Sequence, residues 1–423
     1  MSRLLVVTYV YPPASGVGGI RWSTMTKYLR RAGHEVTVLT SSAFGTSDDD
    51  AQQGVVRTKD LSASSGLRAL LRRGVVAADE APDDVTPTPS RALTRVLVPD
   101  SYLVSWAPYA LVAMRRILRA SPIDCLITSS PPESAHLLAL ALGPRRPAWV
   151  ADLRDGWLFE PHREPFSLRV QRALDARAEA AVVRKADRVT SVVRPIVRDL
   201  EERFGRPVRH VPNGWDPDVV PEKPDIDLDP RMLNVVHTGT LVGAGWRRNP
   251  TSFFHALETC LRRRPELRDR LRIVVAGAKT AQDAALLDRF QLGDVVRHIG
   301  RLRRDQAVGL QREADALLLL SSAPEFLSPV PVKLYEYLTA EAPVLAVAPP
   351  GSESAQMVED TGAGLWVSPY DEEGMVTALE RVAAGELRRR DGASPAADYV
   401  YPAPTEAMME EIAAAIAARA SRR

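Results

Sequence analysis

What most limits the fold of this chain is a pattern that occurs twice. Short apolar runs rich in Val, Ile and Leu alternate with helical stretches on both sides of a Pro/Asp-rich segment from Pro217 to Pro230. Such alternation specifies parallel sheets covered by helices, and the breaker-rich segment reads as a linker. A chain of 423 residues is long enough for two domains, each with its own core. The expected class is therefore α/β, with two Rossmann-like domains facing each other across a cleft, residues 1–212 and 213–402.

Composition narrows the partners. Apolar residues make up 45% and charged residues 26%, which describes a globular chain. No apolar run reaches the ~18 residues of a spanning helix, and the strand-like run Arg3 to Thr8 begins at once, so no signal peptide is expected and the location expected is cytoplasmic. A net charge of +2 gives no reason to invoke nucleic acid. The two cysteines, Cys125 and Cys260, offer neither a disulfide framework nor a zinc site, and both read as buried thiols. Monomer and homodimer both stay open.

The most informative stretch runs from Glu325 to Pro349. Pro329 and Pro331 exclude a central strand and favour a helix of about two turns beginning at Pro331 or just after. Leu334 and Leu338 then face a core, while Lys333, Glu336 and Tyr337 share the other side. Pro343 to Val347 follows as a buried strand. A helix start with a lysine suits a nucleotide diphosphate, and a carboxylate one turn on suits ribose hydroxyls. The alternative is a solvated Lys-Glu pair contributing a few tenths of a kcal/mol.

Three further strand ends carry candidate chemistry. Leu4 to Thr8 runs into a loop ending in Gly16-Val17-Gly18-Gly19, then a helix from about Ile20 to Arg31; the spacing is not a dinucleotide fingerprint. Ile123 to Thr128 is a strand followed by the turn Ser129-Ser130-Pro131-Pro132 and a helix bearing His136. Ala148 to Ala151 enters Asp152-Leu153-Arg154-Asp155-Gly156-Trp157, where an open α/β sheet places ligands. An Arg154–Asp155 pair that merely locks this loop is the competing possibility. In the second half Leu233 to His237 leads into Gly239 and, past further glycines, Arg247 and Arg248, where a phosphate would sit. Ala77 to Ser90 reads as a mobile surface loop. Leu103 to Leu118 reads as a core-facing helix, with weak peripheral membrane contact as the alternative.

Taken together these stretches resemble the family-4 retaining glycosyltransferases of the GT-B fold, and SSPP with DLRDGW resembles a bacterial subgroup known mostly from polysaccharide and antibiotic pathways. Pro212-Asn213-Gly214-Trp215-Asp216 resembles that family's hinge. The resemblance implies a hexosyltransferase-type enzyme that moves a sugar from a nucleoside diphosphate sugar to a small-molecule or glycan acceptor. It places donor binding on Gly18, Gly19, Gly239, Arg247, Arg248, Lys333, Leu334 and Glu336, with the two arginines also stabilising the leaving diphosphate. Asp155 and Arg154 stand where many relatives carry a sugar-contacting histidine, and are the catalytic candidates. Asp152, Trp157, Trp106 and His136 are the acceptor-side candidates. A last helix at about residues 403–423 would return to the first domain. Ser328 stands where the family has its first motif glutamate, and Glu341 where it usually has glycine. No Asp-x-Asp pair is evident, so no metal or other cofactor is expected. A sugar-nucleotide epimerase, a pseudo-glycosyltransferase or a non-catalytic nucleotide-sugar binder are the alternatives.

Overall fold

A computed structural model describes residues 1–14, 17–61, 97–159, 165–242, 250–321, 326–389 and 396–422. The loop expected over Ala77 to Ser90 and the arginines Arg247 and Arg248 lie outside the described residues. The chain divides into two compact units, Met1–Asn213 with Pro402–Arg423, and Gly214–Tyr401.

The first unit is built on a seven-stranded parallel sheet, β1 (Arg3–Thr8), β2 (Glu35–Ser41), β3 (Val55–Thr58), β4 (Cys125–Ser130), β5 (Ala148–Leu153), β6 (Arg188–Ser191) and β7 (Arg209–His210), in the order β3-β2-β1-β4-β5-β6-β7. The central strands are apolar up to their carboxyl ends, Leu4 to Val7 on β1, Cys125 to Ile127 on β4 and Ala148 to Ala151 on β5, because helices cover both faces and both sets of side chains leave water. β4 and β5 are buried at every residue. Burying one such Val or Leu side chain stabilises the fold by roughly 1.5–3 kcal/mol. The short edge strand β3, half of it only partly buried, lacked the periodicity that would have marked it in the sequence.

The helices of this unit are α1 (Val17–Arg31), α2 (Tyr102–Ser105), α3 (Ala107–Ala120), α4 (Ser134–Ala141), α5 (Arg169–Lys185) and α6 (Arg194–Phe204). α1 starts three residues earlier than expected and so takes Gly18 and Gly19 into its first turn. α6 ends on Gly205, whose φ of +61° is the left-handed C-cap conformation that glycine adopts without strain.

The second unit is a six-stranded parallel sheet, β8 (Leu233–Thr238), β9 (Leu271–Ala276), β10 (Val296–His298), β11 (Ala316–Leu320), β12 (Val344–Val347) and β13 (Gly364–Val367), in the order β10-β9-β8-β11-β12-β13. Its helices are α7 (Thr251–Arg263), α8 (Ala281–Arg289), α9 (Arg304–Arg312), α10 (Val332–Tyr337), α11 (Glu353–Asp360) and α12 (Glu372–Ala383). Thr280 and Asp283 form a reciprocal capping box at the start of α8, the side-chain chemistry that a helix N-terminus requires. The final helix α13 (Ala403–Ala420) belongs to the first unit, where it packs on β5 and β6 and against α1.

Strand order reverses between β1 and β4 in one sheet and between β8 and β11 in the other. In an open α/β sheet the crevice at the carboxyl ends of such strands is the ligand position. Both free cysteines are buried, Cys125 on β4 and Cys260 on α7.

Candidate functional site

In the second unit four segments bring polar groups to the reversal point. His237, fully buried at the end of β8, places Nδ1 2.9 Å from the carbonyl oxygen of Leu318 on β11. Its Nε2 lies 3.3 Å from the carbonyl oxygen of Thr240. Lys333 Nζ, on the first turn of α10, stands 3.1 Å from the same Nε2. Gly239 follows with φ +103°, a conformation that L side chains rarely adopt. A Cβ there would also fall 2.8 Å from Lys333 Nζ. The glycine thus leaves its backbone close to the ammonium.

Glu336 lies on α10 three residues after Lys333 and is 8% exposed. Its Oε1 accepts from Arg304 Nε at 3.1 Å and its Oε2 from Gln311 Nε2 at 3.0 Å, both from α9. Gln311 Nε2 lies also 3.1 Å from Thr238 Oγ1, and Tyr337 Oη accepts from the Thr238 amide at 3.0 Å. Arg304 in turn stands over the Trp215 ring, 5.7 Å from its centroid. The carboxylate is therefore held in one orientation with lone pairs to spare.

Two expectations change here. α10 spans six residues, short of two full turns, so its dipole is small and the positive charge rests on Lys333 itself. Leu334 has no exposed surface and packs in the core with Leu338 and Val344, which makes its side chain part of the scaffold.

In the first unit the carboxyl ends of β4 and β5 surround a buried ion pair. Arg21 on α1 places Nη2 3.0 Å from Asp152 Oδ1, and neither side chain has more than 1% of its surface exposed. Asp152 also accepts from Ser129 Oγ and Thr190 Oγ1, each at 2.9 Å. Burial raises the cost of its charge, yet Arg21 and the hydroxyls outweigh that and hold its carboxyl below the usual range. Arg21 continues to the carbonyls of Pro212 (2.9 Å) and Val211 (3.1 Å) and to Asn213 Oδ1 (3.1 Å). Asp152 is thus a fully occupied anchor and has no surface for an acceptor.

Arg154, 8% exposed, donates from Nε to Ser130 O (2.8 Å) and from Nη2 to Pro131 O (3.1 Å). A Cβ on Gly18 would fall 2.1 Å from its Nη1, so the absence of a side chain at Gly18 is what admits the guanidinium. Gly19 is similarly closed, with Ala14 O 2.7 Å from where a Cβ would be. Asp155 is half-buried on the turn that follows.

The three aromatic candidates are interior. Trp106 is fully buried and donates to Thr58 Oγ1 at 2.9 Å; Trp157 is 2% exposed and donates to Asp175 Oδ1 at 2.9 Å. Neither offers a ring face to a sugar. His136 is fully buried and stacked on Trp157, centroids 6.2 Å apart. Trp149 Nε1 donates to Thr128 Oγ1 (2.8 Å), and the same hydroxyl lies 2.7 Å from His136 Nδ1. Burial pushes the His136 pKa down to about 3.

Two family descriptions match the chain, Glycosyltransferase Family 4 over residues 18–219 and Glycosyl transferases group 1 over residues 244–397. The chain belongs to the GT-B glycosyltransferases. No curated protein matches it in sequence. Solved structures resemble this glycosyltransferase in fold at low identity. A sucrose-phosphate synthase from Thermosynechococcus elongatus shares 16% identity at a TM-score of 0.66, covering 99% of this chain and 100% of that one. Trehalose-6-phosphate synthase OtsA shares 14% at 0.62, covering 97% and 99%. The lipopolysaccharide outer core galactosyltransferase WaaB shares 14% at 0.59, covering 97% and 99%.

Sequence reasoning missed Arg21, His237, Arg304 and Gln311 in this glycosyltransferase. A histidine ending an apolar strand was a readable signal for His237. Arg304 and Gln311 meet Glu336 across 32 and 25 residues, which no local pattern reports.

Proposed function

We propose that this glycosyltransferase takes a hexose from a nucleoside diphosphate sugar bound by its second unit. The sugar passes to a small-molecule or glycan acceptor, with retention of configuration and without a metal ion, in polysaccharide or natural-product biosynthesis. The observation that supports this most directly is Lys333, set by His237 beside the backbone of Gly239 and one turn from the oriented Glu336. An ammonium beside an open glycine turn is chemistry for a diphosphate, and a fixed carboxylate at that distance is chemistry for ribose hydroxyls.

In transfer the leaving diphosphate gains negative charge, so groups that stabilise it more in the transition state than in the ground state accelerate the step. Lys333 serves this role, with Arg247 and Arg248 as the further candidates. Arg154 and Asp155 are assigned to the reacting sugar or the acceptor hydroxyl, because they stand at the carboxyl end of β5. Thermal-shift titration with nucleoside diphosphates tests donor binding, since a ligand that binds only the folded state raises its apparent stability. Release of free nucleoside diphosphate that requires an acceptor then separates transfer from epimerisation and from binding without turnover. Absence of any stabilising nucleotide would sink the proposal.

A further inference from the structure

Exposed charge is distributed unevenly over this nearly neutral chain. On α3 the exposed charged residues are Arg115, Arg116 and Arg119, and on α5 they include Arg169, Arg172 and Arg177. Every exposed charge on these two helices is positive, because Asp175 and Glu179, the acidic residues of α5, are buried. Exposed apolar side chains are interleaved with the arginines. Tyr109 and Val112 on α3 and Val170 and Leu174 on α5 are among them, with Val112 50% and Val170 61% exposed.

The placement is specific. At 100° per residue Tyr109, Val112, Arg115, Arg116 and Arg119 fall within one third of the circumference of α3, opposite the buried Ala107, Ala110 and Met114. Both helices lie on one face of the seven-stranded sheet. The crossovers β3 to β4, β4 to β5 and β5 to β6 all advance in the same direction along it, and right-handed connections then put α3, α4 and α5 on the same side. α4 packs against both and sits between them.

We propose that this face docks on a membrane surface rich in anionic phospholipid. Arginines attract the headgroups, and the apolar side chains between them enter the interface, the pattern of a helix lying in the membrane plane. A nucleic-acid groove would match the charge, but it would leave Val112, Val170 and Leu174 facing phosphate and water. No helix among the described residues is long and apolar enough to cross a membrane, so attachment is peripheral.

Flotation of the full chain with vesicles tests this. Wild type should float with phosphatidylglycerol/phosphatidylcholine vesicles and not with phosphatidylcholine alone, and binding should fall at high salt. Arg115→Gln/Arg116→Gln/Arg119→Gln should weaken partitioning on the order of a hundredfold, since each basic residue at an anionic surface contributes about fivefold. Val170→Ser/Leu174→Ser should weaken it on the order of tenfold or more with all charges retained. A matched loss of three arginines elsewhere, Arg262→Gln/Arg263→Gln/Arg289→Gln, should leave it unchanged. All are exposed or helix-surface positions, and circular dichroism checks that each variant folds. Equal flotation of the first triple variant, or full flotation of the serine variant with displacement by polyuridylate, would overturn the membrane assignment, the second outcome in favour of nucleic acid.

Discussion

The two units place their polar residues near the same point of the same architecture and use them differently. At the carboxyl end of β5, one strand from the switch point of the first sheet, Arg21 and Asp152 are buried together and Asp152 accepts from four donor atoms. At the switch point of the second, Arg304 keeps about a third of its side-chain surface in water and Glu336 a small part of its own. A charge removed from water must be matched by fixed partners, and those partners leave nothing for a ligand. A charge at the rim of a cluster keeps lone pairs and protons for what arrives. The first cluster is thus closed architecture, and the second is the one we propose for donor binding.

The strongest way to break that assignment is to remove one member of the buried pair. Asp152→Ala strands the Arg21 guanidinium without its carboxylate, and loss of one partner of a buried pair costs ~3–5 kcal/mol. Denaturant unfolding should show this loss in the first unit. Stability within about 0.5 kcal/mol of wild type, the range of an ordinary surface substitution, would mean that Asp152 is not an anchor. The corresponding removal in the second unit should act on binding instead. Glu336→Ala should weaken nucleoside diphosphate affinity by ~1.5–3 kcal/mol, the worth of a hydrogen bond to a charged group, which calorimetry measures directly. Unchanged affinity would return Glu336 to a plain ion pair with Arg304.

The difference between these clusters was only partly legible in the sequence. The α/β class and the parallel sheets were legible because buried parallel strands such as Leu4 to Val7 and Ala316 to Leu320 are continuous apolar runs. Lys333 and Glu336 were legible because they share one helix turn. Trp157 stood on a turn that suits ring stacking and Trp106 within a stretch read as a core-facing helix, but sequence does not state which way an indole points, and each found a buried hydroxyl or carboxylate partner. Arg21 was invisible for a related reason: it is one arginine among many on an amphipathic helix, and only the fold brings Asp152 to it from 131 residues away.

Titration sharpens the comparison further. His136 is fully buried and its pKa is pushed down by burial to about 3, whereas the unfolded chain titrates near ~6.5. The unfolded state therefore binds the extra proton first. His136 contributes stability that is complete above the unfolded value and is lost as pH falls toward 3, with a slope of at most about 1.4 kcal/mol per pH unit. His136→Gln keeps a group that can hydrogen-bond to Thr128 and removes the titration, so its unfolding free energy should depend less steeply on pH between about 6 and about 4, within the interval between the two values. An unchanged slope would place the titrating group elsewhere.

Asp155, the catalytic candidate of the first unit, is half-buried where Asp152 is sealed. Asp155→Asn preserves shape and removes charge, so transfer should fall by roughly tenfold or more, about 1.4 kcal/mol of barrier per decade, while nucleoside diphosphate affinity stays within about twofold. Equal loss of nucleotide affinity would move Asp155 to the donor site, and normal turnover would make it a loop-locking residue.

The smallest effect is expected from a chelator. A nucleoside diphosphate leaving group can be stabilised by a divalent cation or by fixed cations of the protein. A metal held by protein alone needs several convergent carboxylate, imidazole or thiolate ligands. Among the described residues no three such side chains converge. Lys333 and Arg304 supply positive charge at the corner where the diphosphate is proposed to lie, and their partners His237 and Glu336 hold both in place. EDTA should therefore leave the transfer rate within about twofold, a change of under half a kcal/mol in barrier. Activity that stops in EDTA and restarts with magnesium would show that the substrate's own phosphates bring the ion, and that Lys333 and Arg304 bind the donor without carrying the charge of the reaction.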